Sequence, residues 1–430
     1  MNRCVRGSFD VSEIDTSNGL RYYGWRKKPH SVISGLGNAD TVDTVSKSRP
    51  FSSLSLVTIL LLSLMVGMVT VPTVSANNET KAGIVVGTET WSGTHTLTGN
   101  VTVAEGAKLV INAGTTVNVP AGKYLQIRGA ICAGDAACGA TQGSTSSPVR
   151  FLWGTPADST AYGWCYSPGG QVPLYNQDAA CGGGMIVRDT IDEALTSLNF
   201  VHFEKAYGIP IYSANAQKWL FGALIFDGAS MDANGLSFTD INTSNIIAVN
   251  AASPTITNSA FTLGVDEQSY KAASIQAYGA GLGILSTMQV ADSTFTGDTE
   301  AQCGNQGGGF SVVYTEDSYI RLDRLDISDN AYGVFMRGTS GWLTNSTVDT
   351  LCNAIDTNSF KQTGDIQHML YIDDNEITTG EGAGITAYDG ARVSATGNTI
   401  SGASSGSGFG IRSSYVEIYN NDIGPIEGYK

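Results

Sequence analysis

LYIDDNEI (370–377), VSATGNTI (393–400) and VEIYNNDI (416–423) decide the fold. Written under one another, they align Leu370, Val393 and Val416, then Asn375, Asn398 and Asn421, then Ile377, Ile400 and Ile423, with a period of 23 residues both times. A fixed period of this size marks a solenoid, in which each repeat buries its apolar face against the next. Apolar and polar residues alternate up to a polar corner, which is strand patterning and not helical patterning. The expectation is one coil of a parallel β-solenoid per repeat, with Asn375, Asn398 and Asn421 stacked as an amide ladder at one corner. Gly-Ile steps lie between the repeats. Ile385 follows Ile377 by eight and Ile411 follows Ile400 by eleven, so one corner is expected to lengthen while another compensates.

Outward from this stretch, the same pattern recurs with less regularity. SLNFVHF (197–203) leads to Gly208-Ile209, and GLSF (235–238) and NSAF (258–261) set Phe238 and Phe261 again 23 apart. DSTF (292–295), LDISDN (325–330) and NSTV (345–348) follow, with insertions expected near 264–282, 298–310 and 350–366. No long stretch of 3.6-residue apolar periodicity occurs beyond residue 76. The composition is globular, 42% apolar and 15% charged with 52 Gly and 11 Pro, and a solenoid can use all of this length as one unit.

Residues 1–50 are polar, with eight Lys/Arg and five Asp/Glu, and read as unstructured. Lys47 and Arg49 precede LSLVTILLLSLMVGMVTV (54–71), an uncharged apolar run of 18, followed by Pro72 and Val74-Ser75-Ala76. A basic flank, an apolar run and small exit residues read as a signal peptide over 51–76. Left uncleaved, the run would anchor the chain in a membrane with its N-terminus inside. The exported part, 77–430, carries 16 Lys/Arg against 34 Asp/Glu. That acidity argues against nucleic acid and anionic lipid as partners.

Six of the seven cysteines lie beyond the signal: Cys132, Cys138, Cys165, Cys181, Cys303 and Cys352. An even set in an exported chain predicts disulfides, and of the fifteen pairings the neighbours 132–138, 165–181 and 303–352 are expected. Asn78, Asn100, Asn242 and Asn345 stand in Asn-x-Ser/Thr sequons and are candidate glycosylation sites.

VTVAEGAKLVINAGTTVNV (101–119), with Gly106 and Gly114 at its bends, is followed by Gly129, Pro148, Phe151 and Trp164. This succession resembles the first coils of exported right-handed parallel β-helix proteins, the pectin-lyase-like superfamily in its bacterial and archaeal surface-protein branch. The resemblance covers roughly 97–430 and implies an all-β chain, a single right-handed parallel β-helix of roughly ten to twelve coils, on the order of 50 Å long at about 4.8 Å per coil. The chain departs from the pattern after Trp164, where 165–181 reads as an insertion closed at its base by Cys165–Cys181.

The superfamily includes polysaccharide lyases and hydrolases, but their motifs are not assembled here. Polygalacturonase-like hydrolases imply several carboxylates around one sugar, and only the pair Asp373 and Asp374 offers itself; a turn-capping role is the plainer reading. Pectate-lyase-like enzymes imply a carboxylate cluster for Ca²⁺ with a nearby basic residue. The best stretch is YIRLDRLDISD (319–329), where Leu322, Leu325 and Ile327 are expected inward and Arg321, Asp323, Arg324, Asp326 and Asp329 outward as a charged patch. A solvated ion-pair array is the plainer reading of such a patch. No zinc pattern occurs, no cofactor is expected, and Ca²⁺ is the one ion left open. Trp153, Trp164, Trp219 and Trp342 could supply a sugar-stacking platform or core packing.

The sequence thus predicts an exported cell-surface or secreted protein, a structural spacer or an adhesin-like module for glycan or protein. A lyase or hydrolase with an unrecognised site is the alternative. A further chain segment or a capping partner beyond Lys430 is expected to cover the last coil.

Overall fold

The computed structural model describes residues 78–154, 183–213, 218–241, 243–263, 273–279, 285–297, 303, 311–358, 369–402, 407–412 and 415–426. The chain divides into Met1–Val71, none of it among the described residues, and Pro72–Lys430, which holds every strand. The run 54–71, the Cys165–Cys181 pairing, Trp164 and Asn242 therefore lie outside the described residues, and of Asn78 and Trp219 only the backbone is described.

The chain winds as a parallel β-helix with three faces. The first face stacks Thr116–Val119, Val149–Trp153, Val201–Glu204, Ser237–Ile241 and Ala260–Leu263. It continues through the C-terminal halves of Ser286–Thr296 and Ser318–Asn330 to Thr347–Thr350, Glu376–Thr379, Thr399–Gly402 and Asp422–Ile426. The second face runs Tyr124–Ile127, Gly184–Arg188, Lys218–Asp227, Ser244–Val249, Ile275–Tyr278, Ser311–Glu316, Tyr332–Arg337, Ile355–Asn358, Ala383–Tyr388 and Ser407–Arg412. The third face runs Lys108–Ile111, Ala130–Ala133, Ser197–Asn199, Asp232–Asn234 and Thr255–Thr257. It goes on through the N-terminal halves of the two long strands to Ser340–Thr344, Leu370–Asp373, Arg392–Thr396 and Tyr415–Tyr419. Coils also precede these, from Asn78–Val85 through Thr88–Trp91 to Thr94–Val103, so the stack begins upstream of the coil at 101.

Inward positions form columns because the strand period is two and the stacking is in register. On the first face the column is Val117, Phe151, Phe203, Phe238, Phe261, Phe295, Ile327, Val348, Ile377 and Ile400, each at most 1% exposed. Its five phenyl rings stack at 5.7, 4.9, 5.1 and 4.5 Å between centroids. Each buried ring contributes roughly 1.5–3 kcal/mol. Trp153, 1% exposed, packs beside this stack and is a core residue.

The corner between third and first faces requires a left-handed residue at every level. It is filled by Phe200, Gly235, Asn258, Asp292, Arg324, Asn345, Asp374, Gly397 and Asn420, with φ between 50° and 68°. Gly, Asn and Asp are the residues that tolerate this region, which explains the polar corner of the repeat. One residue on, the ladder is present as expected. Asn375 Nδ2 donates to Asn398 Oδ1 (2.9 Å), and Asn398 Nδ2 donates to Asn421 Oδ1 (2.8 Å). Each Oδ1 also accepts the backbone N–H of the preceding level: Ser346, Asn375 and Asn398 in turn, at 3.0, 3.0 and 2.9 Å. The ladder extends further than the three Asn. Ser259, Ser293 and Ser346 occupy the same position, and their hydroxyls accept the N–H of Leu236, Ser259 and Leu325.

Three expectations are corrected by the register. Ile385 pairs with Phe409, and Ile411 pairs with Ala387. The corner after Ile400 is thus one residue longer than its counterpart, not three. Gly208-Ile209 does not continue the coil; Ile209–Ser213 forms an antiparallel hairpin with the start of Lys218–Asp227. It helps cover a second apolar cluster of Ile186, Ile211, Leu220, Ile225 and Ile247 outside the second face. Ile275–Tyr278 and Ile355–Asn358, read as parts of insertions, are second-face strands.

Two of the expected disulfides are present. Cys132–Cys138 ties the turn Ala136–Cys138 over the third face, and Cys303–Cys352 closes a separation of 49 residues.

Candidate functional site

The third face presents an aromatic strip. Register places Arg321 beside Trp342 and Trp342 beside Tyr371 on successive coils. The Trp342 and Tyr371 rings stack at 5.5 Å and 14°, and Tyr319 meets Trp342 edge-on, also at 5.5 Å. On the next two coils, Arg392 lies 5.2 Å over the Tyr415 ring. Tyr371, Tyr415 and Tyr419 are 36%, 50% and 57% exposed, and Trp342 is half-buried. Strand geometry causes this, since outward positions of neighbouring coils sit close enough for rings to stack.

The charged patch 319–329 divides around the corner. Leu322, Leu325 and Ile327 point inward as expected. Arg321 is exposed on the third face, Arg324 sits at the left-handed corner, and Asp326 and Asp329 are exposed on the first face. Asp323 is not an open surface carboxylate: it is 9% exposed. Its Oδ1 accepts from Thr344 Oγ1 (2.8 Å) and Asn345 Nδ2 (3.0 Å), and its Oδ2 accepts from Arg324. Burial alone would lift the Asp323 carboxyl, but the bonds from Asn345 and Thr344 and the charges of Arg324 and Arg321 hold it below the usual value. Arg324 also makes a two-pronged pair with Asp292, at 2.5 and 2.8 Å. Within the patch, Arg324 and Asp323 therefore form an ion-pair ladder with Asp292 across the corner. Among the described residues, no three His, Cys, Asp or Glu side chains stand together to hold a metal ion.

Asp373 and Asp374 are separated by the same geometry. Asp373 points out beside Thr344 and Thr396 on the aromatic face, while Asp374 is exposed at the corner with φ 58°. Burial raises the Asp373 carboxyl, with the neighbouring Asp374 charge adding to it and Thr396 opposing through its hydrogen bonds. Of the described sequons, Asn100 accepts the Tyr124 N–H at 3.3 Å, and Asn345 is exposed at the corner.

A second constellation was not visible in the sequence. On the outer side of the second face, register aligns Tyr278, Glu316, Arg337, Asn358 and Tyr388 in one column. Gln276, Tyr314, Phe335, Asp356 and Thr386 form the next. Tyr278 donates to Gln276 Oε1 (2.6 Å) and Tyr314 to Glu316 Oε2 (3.1 Å). Tyr278, Glu316, Asp356 and Asn358 are buried. Burial, with the Glu316 charge, pushes the Tyr314 phenol up to about 12, and burial raises the Asp356 carboxyl. Each residue comes from a different coil or from alternate positions of one strand, so no short motif announces the group. The available signal was the run of buried polar residues in IQAY and IDTN, which lack alternation.

No family model matches the chain, and no curated protein matches it. Solved structures similar to it include an exopolygalacturonase from Thermotoga maritima, 10% identical, TM-score 0.43, covering 78% of this chain and 83% of that one. PfbA, a surface adhesin of Streptococcus pneumoniae, is 12% identical with a TM-score of 0.41, covering 80% and 85%. The periplasmic alginate epimerase AlgG is 12% identical with a TM-score of 0.35, covering 78% and 76%. What the chain has in common with these right-handed parallel β-helix proteins is architecture, which its own strand register already establishes.

Proposed function

We propose that the chain is an exported surface or secreted module that binds glycans along its third face and does not cleave them. The observation that carries this reading is the ladder Tyr319–Trp342–Tyr371 with Arg321 beside it and Asp373 two residues from Tyr371. The ring surface left open outside this stack, 36% of Tyr371 included, offers apolar area to the C–H side of a sugar ring, while the flanking phenol, guanidinium and carboxyl groups meet its hydroxyls. The in-register strip suits a polymer lying along the helix axis. Export is supported by the disulfides and by the signal-like run 54–71.

The catalytic alternative draws on the second-face constellation, in which carboxylates, phenols and Arg337 converge. Glu316 at 3% and Asp356 at 8% exposure are enclosed, whereas a polysaccharide-cleaving groove needs its acid and base in reach of the polymer. This favours a structural role for that group.

A glycan-array and polysaccharide-degradation screen on the purified full chain, with and without Ca²⁺, tests the proposal. Retention of one glycan class without new chain ends is expected. Release of unsaturated or reducing ends would overturn the proposal, and loss of that release in Glu316→Gln would locate the chemistry on the second face.

A further inference from the structure

We infer that the corner between the second and third faces carries a separate pocket for a small hydroxylated organic anion. The pocket holds about 520 Å³ and is lined by Gln126, Arg128, Arg188, Asp189, Asp227, Gly228 and Asn250. That volume falls in the small-molecule range of roughly 300–1,000 Å³. Ile127 pairs with Val187, so Arg128 and Arg188 follow in register on neighbouring coils. The two side chains thus leave neighbouring coils and part toward different carboxylates.

Arg128 turns to Glu105 on the preceding side at 2.9 Å, and Arg188 turns to Asp227 on the following side. Asp227 is engaged on both oxygens, since the other accepts from Asn250 Nδ2 at 2.6 Å. Arg188 Nε is buried without a partner. An oxyanion held between the two arginines would accept charge-assisted bonds from the guanidinium donors that Glu105 and Asp227 leave open. Asp189, exposed at the rim, and the Gln126 amide would take hydroxyl groups of the same ligand. A glycine is required at 228, because φ is +70° and an added Cβ would lie 2.9 Å from the Asp189 Cβ.

Ligand-observed NMR on the full chain, with gluconate, acetate and glucose as probes, tests the inference. Gluconate is expected to bind saturably, acetate at least several-fold more weakly, and glucose not at all. Arg128→Gln, at an exposed position, is expected to weaken gluconate about tenfold with an unchanged melting temperature, while Trp342→Ala leaves gluconate binding intact. Equal binding of glucose and gluconate, no saturable gluconate binding, or an unaffected Arg128→Gln variant would each overturn it. Because Trp342 lies on another face, failure of this pocket and failure of the glycan platform are read out separately.

Discussion

Asn398 shows how one side chain holds two coils. It is fully buried; its oxygen accepts Asn375 N–H and amide, and its amide donates to Ile372 O (2.8 Å) and Asn421. Removing it leaves buried partners unsatisfied, each at about 1–3 kcal/mol. Asn398→Ala should lose roughly 2–4 kcal/mol in urea unfolding. Asn398→Ser should lose markedly less, since Ser346 and Ser293 already perform the acceptor half of the task. His95 gives a second prediction at this scale. It is buried against Trp91, with ring centroids 5.1 Å apart. Burial lowers its pKa, outweighing the Ser92 backbone hydrogen bond and the Glu79 charge. The unfolded chain therefore binds more protons, and stability rises with pH. This contribution is complete above about pH 6.5 and is lost as pH falls through the lower folded value. The melting temperature of His95→Asn should be flatter than wild type across that window. The residue scale was legible where one residue type repeats at one corner. The Asn ladder could be read directly, whereas Asp323 was misplaced because alternation alone puts it outside and does not reveal Thr344 and Asn345 closing over it.

At the scale of the element, burial follows coil position as well as strand face. Ile372, Ala395 and Ile418 occupy one inward column, yet Ile372 is 0% and Ile418 41% exposed. Ile372→Ala should cost about 2–5 kcal/mol and Ile418→Ala under about 1 kcal/mol. Equal costs would mean that the coil at Ile418 is covered in solution, as a capping segment or partner would do. Gly235 sits at the left-handed corner with φ 65°, and a Cβ there would meet the Phe200 ring at 2.9 Å. Gly235→Ala should destabilise by roughly 1–3 kcal/mol, measured by thermal unfolding. Opening Cys303–Cys352 with Cys352→Ser should remove about 4 kcal/mol by loop entropy. Strands of the first and third faces could be read from the sequence because polar and apolar residues alternate in them. Second-face strands such as IQAY and IDTN could not, because both sides of each are buried and the outer side is polar. The hairpin at 209–213 was hidden for a related reason: GALIFD is apolar on both sides because the hairpin covers one of them.

For the whole molecule, the fold follows from repetition and the function from what stacking places side by side. Arg321, Trp342 and Tyr371 lie on three coils, and only the register, with its variable corners, makes them one strip. The same register turns the linear run 319–329 into parts of two faces and a corner. That strip is the proposed platform, on which a glycan binds and is not cleaved. The most direct measurement is the affinity of wild type and Trp342→Ala for the oligosaccharide selected on the array, by calorimetry, with reducing ends assayed in the same samples. A binding platform without catalysis predicts binding weakened at least tenfold in Trp342→Ala, a melting temperature lowered by only a few degrees from the lost ring contacts, and no new ends. Undiminished binding in Trp342→Ala, or release of chain ends by the wild type, would contradict it.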